Sequence, residues 1–163
     1  MGSGDFESRW LSPGVSDVWT RFLTVTHRLE HQIDRRLQGH HGISQTQYEI
    51  LVRLADADEN RLRMSELAER IVTAKSAATY QVKKLADMGL VEPHKCEYDN
   101  RATWVILTDD GRERLEAAAP CILSLVRELF LDSINCDQAR ELNKLLATWS
   151  NNLDDNEHLP KGQ

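Results

Sequence analysis

The fold is decided by residues 65–111, which read SELAERIVTAKSAATYQVKKLADMG and then LVEPHKCEYDNRATWVILTDDG. The first part predicts a short helix, a tight connection at Val72-Thr73, and a longer helix ending before Gly89, a residue suited to the position after a helix. Two segments rich in β-branched and aromatic residues follow, with a polar tip between them. The order helix, turn, helix, hairpin predicts a winged helix-turn-helix.

The longer helix has two chemically distinct sides when its residues are placed at about 100° per step from Thr73, taken as its cap. One side is small and apolar, which favours packing against another helix: Ala74, Ala77, Ala78, Val82, Leu85 and Met88. The other side is polar: Lys75, Ser76, Thr79, Tyr80, Lys83, Lys84 and Asp87. Hydroxyls, a phenol and ammonium groups on one helix face suit a DNA groove.

These residues give a set of predicted DNA contacts. Lys75 and Ser76 lie nearest the helix N-terminus and are expected to reach deepest into the major groove, with Thr79 and Tyr80 behind them. The remaining lysines, Lys83, Lys84 and Lys95, are expected to contact phosphates, which gives affinity without sequence choice. Thr73 and, in the polar tip, Asn100 and Arg101 complete the set. Taken singly, each lysine is most simply an ordinary solvated side chain. The prediction of DNA contacts depends on their lying together on one helix face.

The hairpin contains the most specific pattern in the chain. Asp99 and Arg101 are followed by Leu107-Thr108 and Gly111, and preceded by Gly89-Leu90-Val91. This pattern resembles the wing signature of the MarR family of bacterial transcription regulators, and the resemblance extends from the helix near Trp19 to the helix near Trp149. It implies that Arg101 enters the minor groove while Asp99 supports it.

A cationic side chain such as that of Arg101 suits the minor groove, because a narrow minor groove has the strongest negative potential. The alternative for Asp99 and Arg101 is a solvated ion pair contributing at most about 1 kcal/mol. One departure from the family is visible: the family commonly has Thr-Arg where this chain has Thr79-Tyr80. We therefore expect weaker phosphate binding or an unusual operator.

Two helical regions have longer apolar stripes than one small lobe can cover. They are residues 15–38 and 109–153, and the resemblance implies that they form a homodimer interface around the DNA-binding lobe at 44–107. A helical cap on a monomer is the alternative. We predict a mainly α fold with a small β-wing, one MarR-type domain over 1–163, and a disordered tail at 154–163.

Shorter signals set the boundaries of the other elements. Gly39-His40-His41-Gly42 is expected to end the first long helix, and Ser44 with Gln47 predicts a capping box at the next. Residues 61–63 are a candidate third strand of the wing sheet, although three residues are a weak signal. Asn135 is a candidate cap for the last helix.

The formal charge of the 163-residue chain is −6, but it is unevenly distributed. Residues 1–59 have 6 basic and 9 acidic groups (−3), residues 60–104 have 8 and 6 (+2), and residues 105–163 have 6 and 11 (−5). Affinity for nucleic acid follows the local field rather than the total. The acidic total is therefore compatible with DNA binding.

MarR-like dimers bind small aromatic acids in a cleft beside the winged helix. Candidates for such an effector site are Trp10, Trp19, Arg28 and Tyr48, because aromatic walls and one arginine suit an aromatic anion. Taken singly, Trp19 and Tyr48 are more often core residues and Arg28 a solvated one. A second hypothesis makes Cys96 a redox sensor, since basic neighbours favour its thiolate, although an unreactive exposed cysteine is commoner.

Other functional classes find little support in the sequence. No nucleophile elbow, phosphate-binding glycine loop or paired carboxylates are present, so we expect no enzyme and no cofactor. His27 and His31 lie four residues apart with Glu30 and Asp34 nearby, but no cysteine or third histidine at a suitable spacing completes a metal site, so we expect none. No apolar run approaches the roughly 20 residues of a membrane span, which favours a cytoplasmic protein. A winged helix used only for protein contact is the rival function, and the retained lysines argue against it.

Overall fold

A computed structural model of the chain describes residues 13–71, 74–95 and 103–157, with the side chains of Pro13 and 154–157 excepted. In order, the elements are α1 (Pro13–His41), α2 (Gln45–Ala55), a 3₁₀ turn (Asp58–Asn60), β1 (Arg61–Arg63), α3 (Met64–Arg70), α4 (Lys75–Asp87), β2 (Val91–Lys95), β3 (Thr103–Leu107), α5 (Asp109–Leu129), a 3₁₀ turn (Leu131–Ser133) and α6 (Cys136–Glu157). This order is mainly α with a small sheet, which confirms the predicted fold class. No helix among the described residues is long and apolar enough to cross a membrane.

The junction between α1 and α2 differs from the prediction. α1 continues through Gly39 to His41, and the left-handed residue that follows it is Gly42, at φ 67°. A helix tolerates an interior glycine at a cost of about 1 kcal/mol, whereas the left-handed position strongly favours glycine. The capping box is present: Ser44 Oγ accepts from the Gln47 amide at 3.2 Å, and Gln47 Oε1 accepts from the Ser44 amide at 2.9 Å.

The main core lies between α2, α3, α4 and the sheet. α2 contributes the fully buried Ile50, Leu51 and Leu54, and the cluster extends to one residue each of α1 and α5, Leu37 and Ala118. The helices α2, α3 and α4 and the sheet thus bury apolar faces against one another, as amphipathic patterning requires. This core holds α4 in place.

The sheet is antiparallel with strand order β1-β3-β2, so the short third strand is confirmed. Leu62 lies opposite Val105, and both side chains are buried. Because side chains alternate along a strand, the neighbours Arg61, Arg63 and Trp104 occupy the outer face. The register of three residues therefore decides which side of the wing base is charged.

The beginning of α4 also differs from the expectation. Its N-cap is Ala74, which has extended backbone and no side-chain cap bond, and the helix begins at Lys75. At the other end the prediction is confirmed: Gly89 has φ 75°, and the amide of Leu90 donates to the Leu85 carbonyl at 2.9 Å. That backbone bond closes the helix in a Schellman arrangement.

Hydrogen bonds tie the start of α5 to the winged helix. Thr108 Oγ1 donates to the Gly89 carbonyl at 2.7 Å and accepts from the Gly111 amide at 3.0 Å. Arg112 donates to Asn60 Oδ1 at 2.6 Å, and Arg114 donates to the His41 carbonyl at 2.5 Å. The end of α4, the end of α1 and the first turn of α5 are therefore connected by specific bonds.

Two compact units divide the chain after Leu123. In the second unit, Asn135 Oδ1 accepts from the Gln138 amide and Gln138 Oε1 accepts from the Asn135 amide, both at 2.9 Å. The predicted cap of the last helix is confirmed by this pair. α6 then reaches Glu157, beyond the expected end at residue 153, and residues 158–163 lie outside the described part.

Gly111→Ala is expected to destabilise the protein by about 2 kcal/mol or more, a typical cost of overpacking. A methyl group at this position overlaps the Leu90 carbonyl oxygen and lies 2.8 Å from Leu107 Cδ1. Gly39→Ala is the matched control, because nothing lies within 4 Å of a Cβ there and alanine is the better helix former. Urea unfolding followed by circular dichroism measures both, and equal stabilities would contradict the account.

Candidate nucleic-acid interface

The outward side of α4 presents the polar residues that the sequence placed there. Its buried residues are Ala78, Val82 and Leu85. All seven polar residues predicted for the opposite side are exposed: Lys75, Ser76, Thr79, Tyr80, Lys83, Lys84 and Asp87. The predicted apolar side is narrower than expected, because Ala74, Ala77 and Met88 are also exposed. Whether a residue at the edge of an apolar stripe is buried depends on the shape of the neighbouring surface. A helical wheel contains no information about that surface.

A groove of about 620 Å³ lies between α4 and the base of the wing. Lys75, Lys83 and Asp87 line it from the helix, and Arg63, Pro93 and Thr103 line it from the strands. Neither lysine forms a salt bridge with any residue of the described ranges. Among the described residues, Lys75, Lys83 and Arg63 outnumber the one carboxylate of Asp87 in the groove, which makes it attractive to an anion such as a phosphodiester.

Thr79 and Tyr80 have side-chain contacts within α4 itself. The hydroxyl of Thr79 donates to the Lys75 carbonyl at 2.8 Å, a common bond for a helical threonine. The ammonium of Lys84 lies 4.7 Å from the centroid of the Tyr80 ring, within the range of a cation–π contact. Lys84 therefore holds the phenol ring, in addition to the phosphate contact predicted for it.

Two arginines at the wing base were not singled out by the sequence. The guanidinium carbons of Arg61 and Arg63 lie 5.0 and 5.3 Å from the Trp104 ring. Arg61 also forms a salt bridge with Glu59, so the charge of Arg61 is compensated. The backbone of Glu59 is left-handed, at φ 55°. The Arg-Leu-Arg alternation of β1 was the available signal, since residues two apart share a face of a strand.

Part of the predicted site lies outside the described residues. This applies to Thr73, to the wing residues Cys96, Asp99, Asn100 and Arg101, and to Trp10. β2 ends at the exposed Lys95, which lies opposite Thr103. The described strands therefore lead up to the wing tip, whose contacts stay a prediction.

The candidate effector residues do not converge within one chain. Trp19 is 53% exposed on α1 and its ring stacks with Phe22 at 6.2 Å between centroids. Arg28 follows it by nine positions, so an α-helix turns the two side chains about 180° apart. Tyr48 is half-buried on α2, and desolvation by burial raises the pKa of its phenol, which stays neutral at physiological pH. An effector cleft built from these residues remains a prediction.

Comparison with known proteins places this geometry in a family. The family model described as "MarR family" matches residues 43–103, which include the groove and the α4 face. The HTH-type transcriptional regulator YdgJ of Bacillus subtilis, itself described as uncharacterized, is 35% identical over 112 residues. That alignment covers 69% of this chain and spans 66% of the length of YdgJ.

Two solved structures from Streptomyces coelicolor resemble the chain over most of its length. AbsC, a MarR family transcriptional regulator, is 33% identical with a TM-score of 0.83, over 90% of this chain and 99% of AbsC. Sco3205, a MarR family transcriptional regulator in complex with DNA, is 31% identical with a TM-score of 0.84, over 95% of this chain and 94% of Sco3205. These relatives are transcriptional regulators rather than enzymes. The winged helix, its exposed α4 face and these similarities show that the chain belongs to the MarR family of transcriptional regulators.

Proposed function

We propose that this chain is a homodimeric DNA-binding regulator, acting as a repressor that occupies a palindromic operator. The observation that supports it most is the outward side of α4, where Lys75 and Lys83 line a groove without salt bridges to described residues. A protein-contact module has no need of such unpaired cations. The DNA complex of the similar Sco3205 agrees with this proposal.

The assignment of contacts follows the geometry of winged helices on DNA. Lys75, Ser76, Thr79 and Tyr80 enter the major groove, and Lys83 contacts the phosphates beside it. Lys95 continues the phosphate contacts at the end of β2. Thr73, Asn100 and Arg101 extend the interface at either end, with Asp99 positioning Arg101 in the minor groove, as the family resemblance implies.

The dimer is supported by exposed apolar stripes on two helices. On α1 the stripe consists of Val15, Val18, Trp19, Phe22 and Val25, which are 38–58% exposed. On α6 it consists of Leu145, Leu146, Trp149 and Leu153, which are 37–68% exposed. Large contiguous apolar surface is rare on monomers and favours an interface with another chain. A second copy would also supply the second α4 that a palindrome requires.

Release from the operator requires an effector that favours one arrangement of the dimer. A small aromatic or phenolic acid bound near Tyr48 is the proposed signal, and the neutral phenol of Tyr48 would donate a hydrogen bond to it. A differential affinity of about 1.4 kcal/mol between two conformations changes operator occupancy tenfold. Oxidation of Cys96 in the wing is the alternative signal, which Cys96→Ser would abolish.

Lys83→Gln is expected to weaken DNA binding and lower its salt dependence. Each phosphate contact releases counterions, so the slope of log K against log[salt] should become shallower by about 0.9 per lost contact. Fluorescence anisotropy with a labelled duplex from the upstream region of the gene measures this at two or more salt concentrations. Arg101→Ala is expected to lower affinity as well, through the minor groove.

Lys144→Gln is the matched control for this experiment, because Lys144 lies on α6 and its ammonium already pairs with Glu141 at 2.9 Å. Its affinity and salt slope should equal those of the wild type. Wild-type binding no tighter than to random DNA, together with an unchanged Lys83→Gln variant, would contradict the regulator function. The protein-contact module would then be the better explanation.

Val18→Glu is expected to convert a dimer into a monomer by placing a charge in the apolar stripe of α1. The wild type should sediment near twice the chain mass of 18.7 kDa, and the variant near the chain mass itself. Thr24→Glu is the control, because Thr24 is exposed and lies on the opposite side of α1 from the apolar stripe. A monomeric wild type at tens of micromolar, or a fully dimeric Val18→Glu variant, would rule the proposed interface out.

A further inference from the structure

Tyr80 occupies the central position of the outward side of α4. The buried residues Ala78, Val82 and Leu85 define the inward direction, and at about 100° per residue Tyr80 points almost directly away from it. Its side chain is 56% exposed although it is large and aromatic. An exposed aromatic ring at the middle of a recognition surface has area available for a partner.

The Tyr80 ring already has a contact within α4 in the absence of DNA. Lys84 lies one turn further along α4, and its ammonium is 4.7 Å from the ring centroid. This contact occupies one face of the ring, and the opposite face is available to a partner. A preorganised aromatic side chain binds with a smaller loss of conformational entropy.

The neighbouring threonine adds to the apolar character of this part of the surface. The hydroxyl proton of Thr79 is donated to the Lys75 carbonyl at 2.8 Å. Its methyl group therefore remains as a contact surface, while its oxygen can only accept. Ala77, also exposed, contributes another methyl group on the same helix. The middle of α4 thus combines a ring and methyl groups between lysines.

We propose that Tyr80 selects thymine in the major groove through contact between its ring and the thymine 5-methyl group. Thymine is the base that presents a methyl group in this groove, and apolar side chains recognise it by contact. The central position of Tyr80 directs it to base edges, whereas phosphates border the groove and face the flanking lysines. This inference rests on the proposed DNA-binding function and specifies the base that one residue reads.

The experiment starts with selection of tight-binding duplexes from a random-sequence library by the full-length protein. Each thymine of the selected half-site is then replaced by deoxyuridine, which removes only the methyl group. Affinities are measured by anisotropy for the wild type, Tyr80→Phe and Tyr80→Ala, with circular dichroism to verify folding. Tyr80→Phe is the matched control, because it keeps the ring and removes only the hydroxyl.

Loss of one buried methyl contact predicts about a fourfold decrease in wild-type affinity at one thymine position. Tyr80→Phe should show the same decrease there, and Tyr80→Ala should bind both duplexes equally. Three outcomes would overturn the inference while leaving DNA binding intact: no thymine sensitive to the substitution, an unchanged sensitivity in Tyr80→Ala, or its loss in Tyr80→Phe. Failure to select any sequence would overturn the proposed function as well.

Discussion

The burial of a narrow apolar stripe on α4 determines the rest of the site. Ala78, Val82 and Leu85 are fixed in the core formed with α2, α3 and the sheet, and this burial sets the rotation of the helix about its axis. Each large residue buried in this way stabilises the fold by about 1.5–3 kcal/mol. The same rotation turns Tyr80 and the lysines outward. Burial of the α4 stripe therefore both stabilises the protein and orients its charged surface.

Charge is distributed by the fold rather than by composition. The chain is acidic overall, at −6, yet the lysines of the α4 groove form no salt bridge with a described residue, and Asp87 is the one described carboxylate that lines the groove with them. Elsewhere basic residues are often compensated, as Lys144 is by Glu141. Repulsion by the acidic regions lowers affinity for arbitrary DNA, while the local field retains the attraction at the groove. Such a division favours specific over non-specific binding.

Much of this fold could be predicted because its signals are local. The capping box at Ser44 and the left-handed Gly89 each depend on a few neighbouring residues, whereas the strand at 61–63 was a weaker signal because it forms by pairing with residues 104–106. Contacts between elements could not be predicted from local signals. The contact of Arg61 and Arg63 with the Trp104 ring, for example, depends on the register of two strands that are distant in the sequence. The continuation of α1 through Gly39 was not predicted, because Gly39 and Gly42 are both suited to the end of a helix; in the structure it is Gly42, at φ 67°, that follows the helix end.

The central claim is that two copies of α4 read DNA together. Hydroxyl-radical footprinting of the protein on a selected operator tests it most directly. The account predicts two protected segments on one face of the duplex, with centres about 10–10.5 base pairs apart, the spacing of successive major grooves. A single short protected segment would contradict the paired arrangement, and the absence of protection at concentrations well above the measured Kd would contradict the reading of DNA by α4.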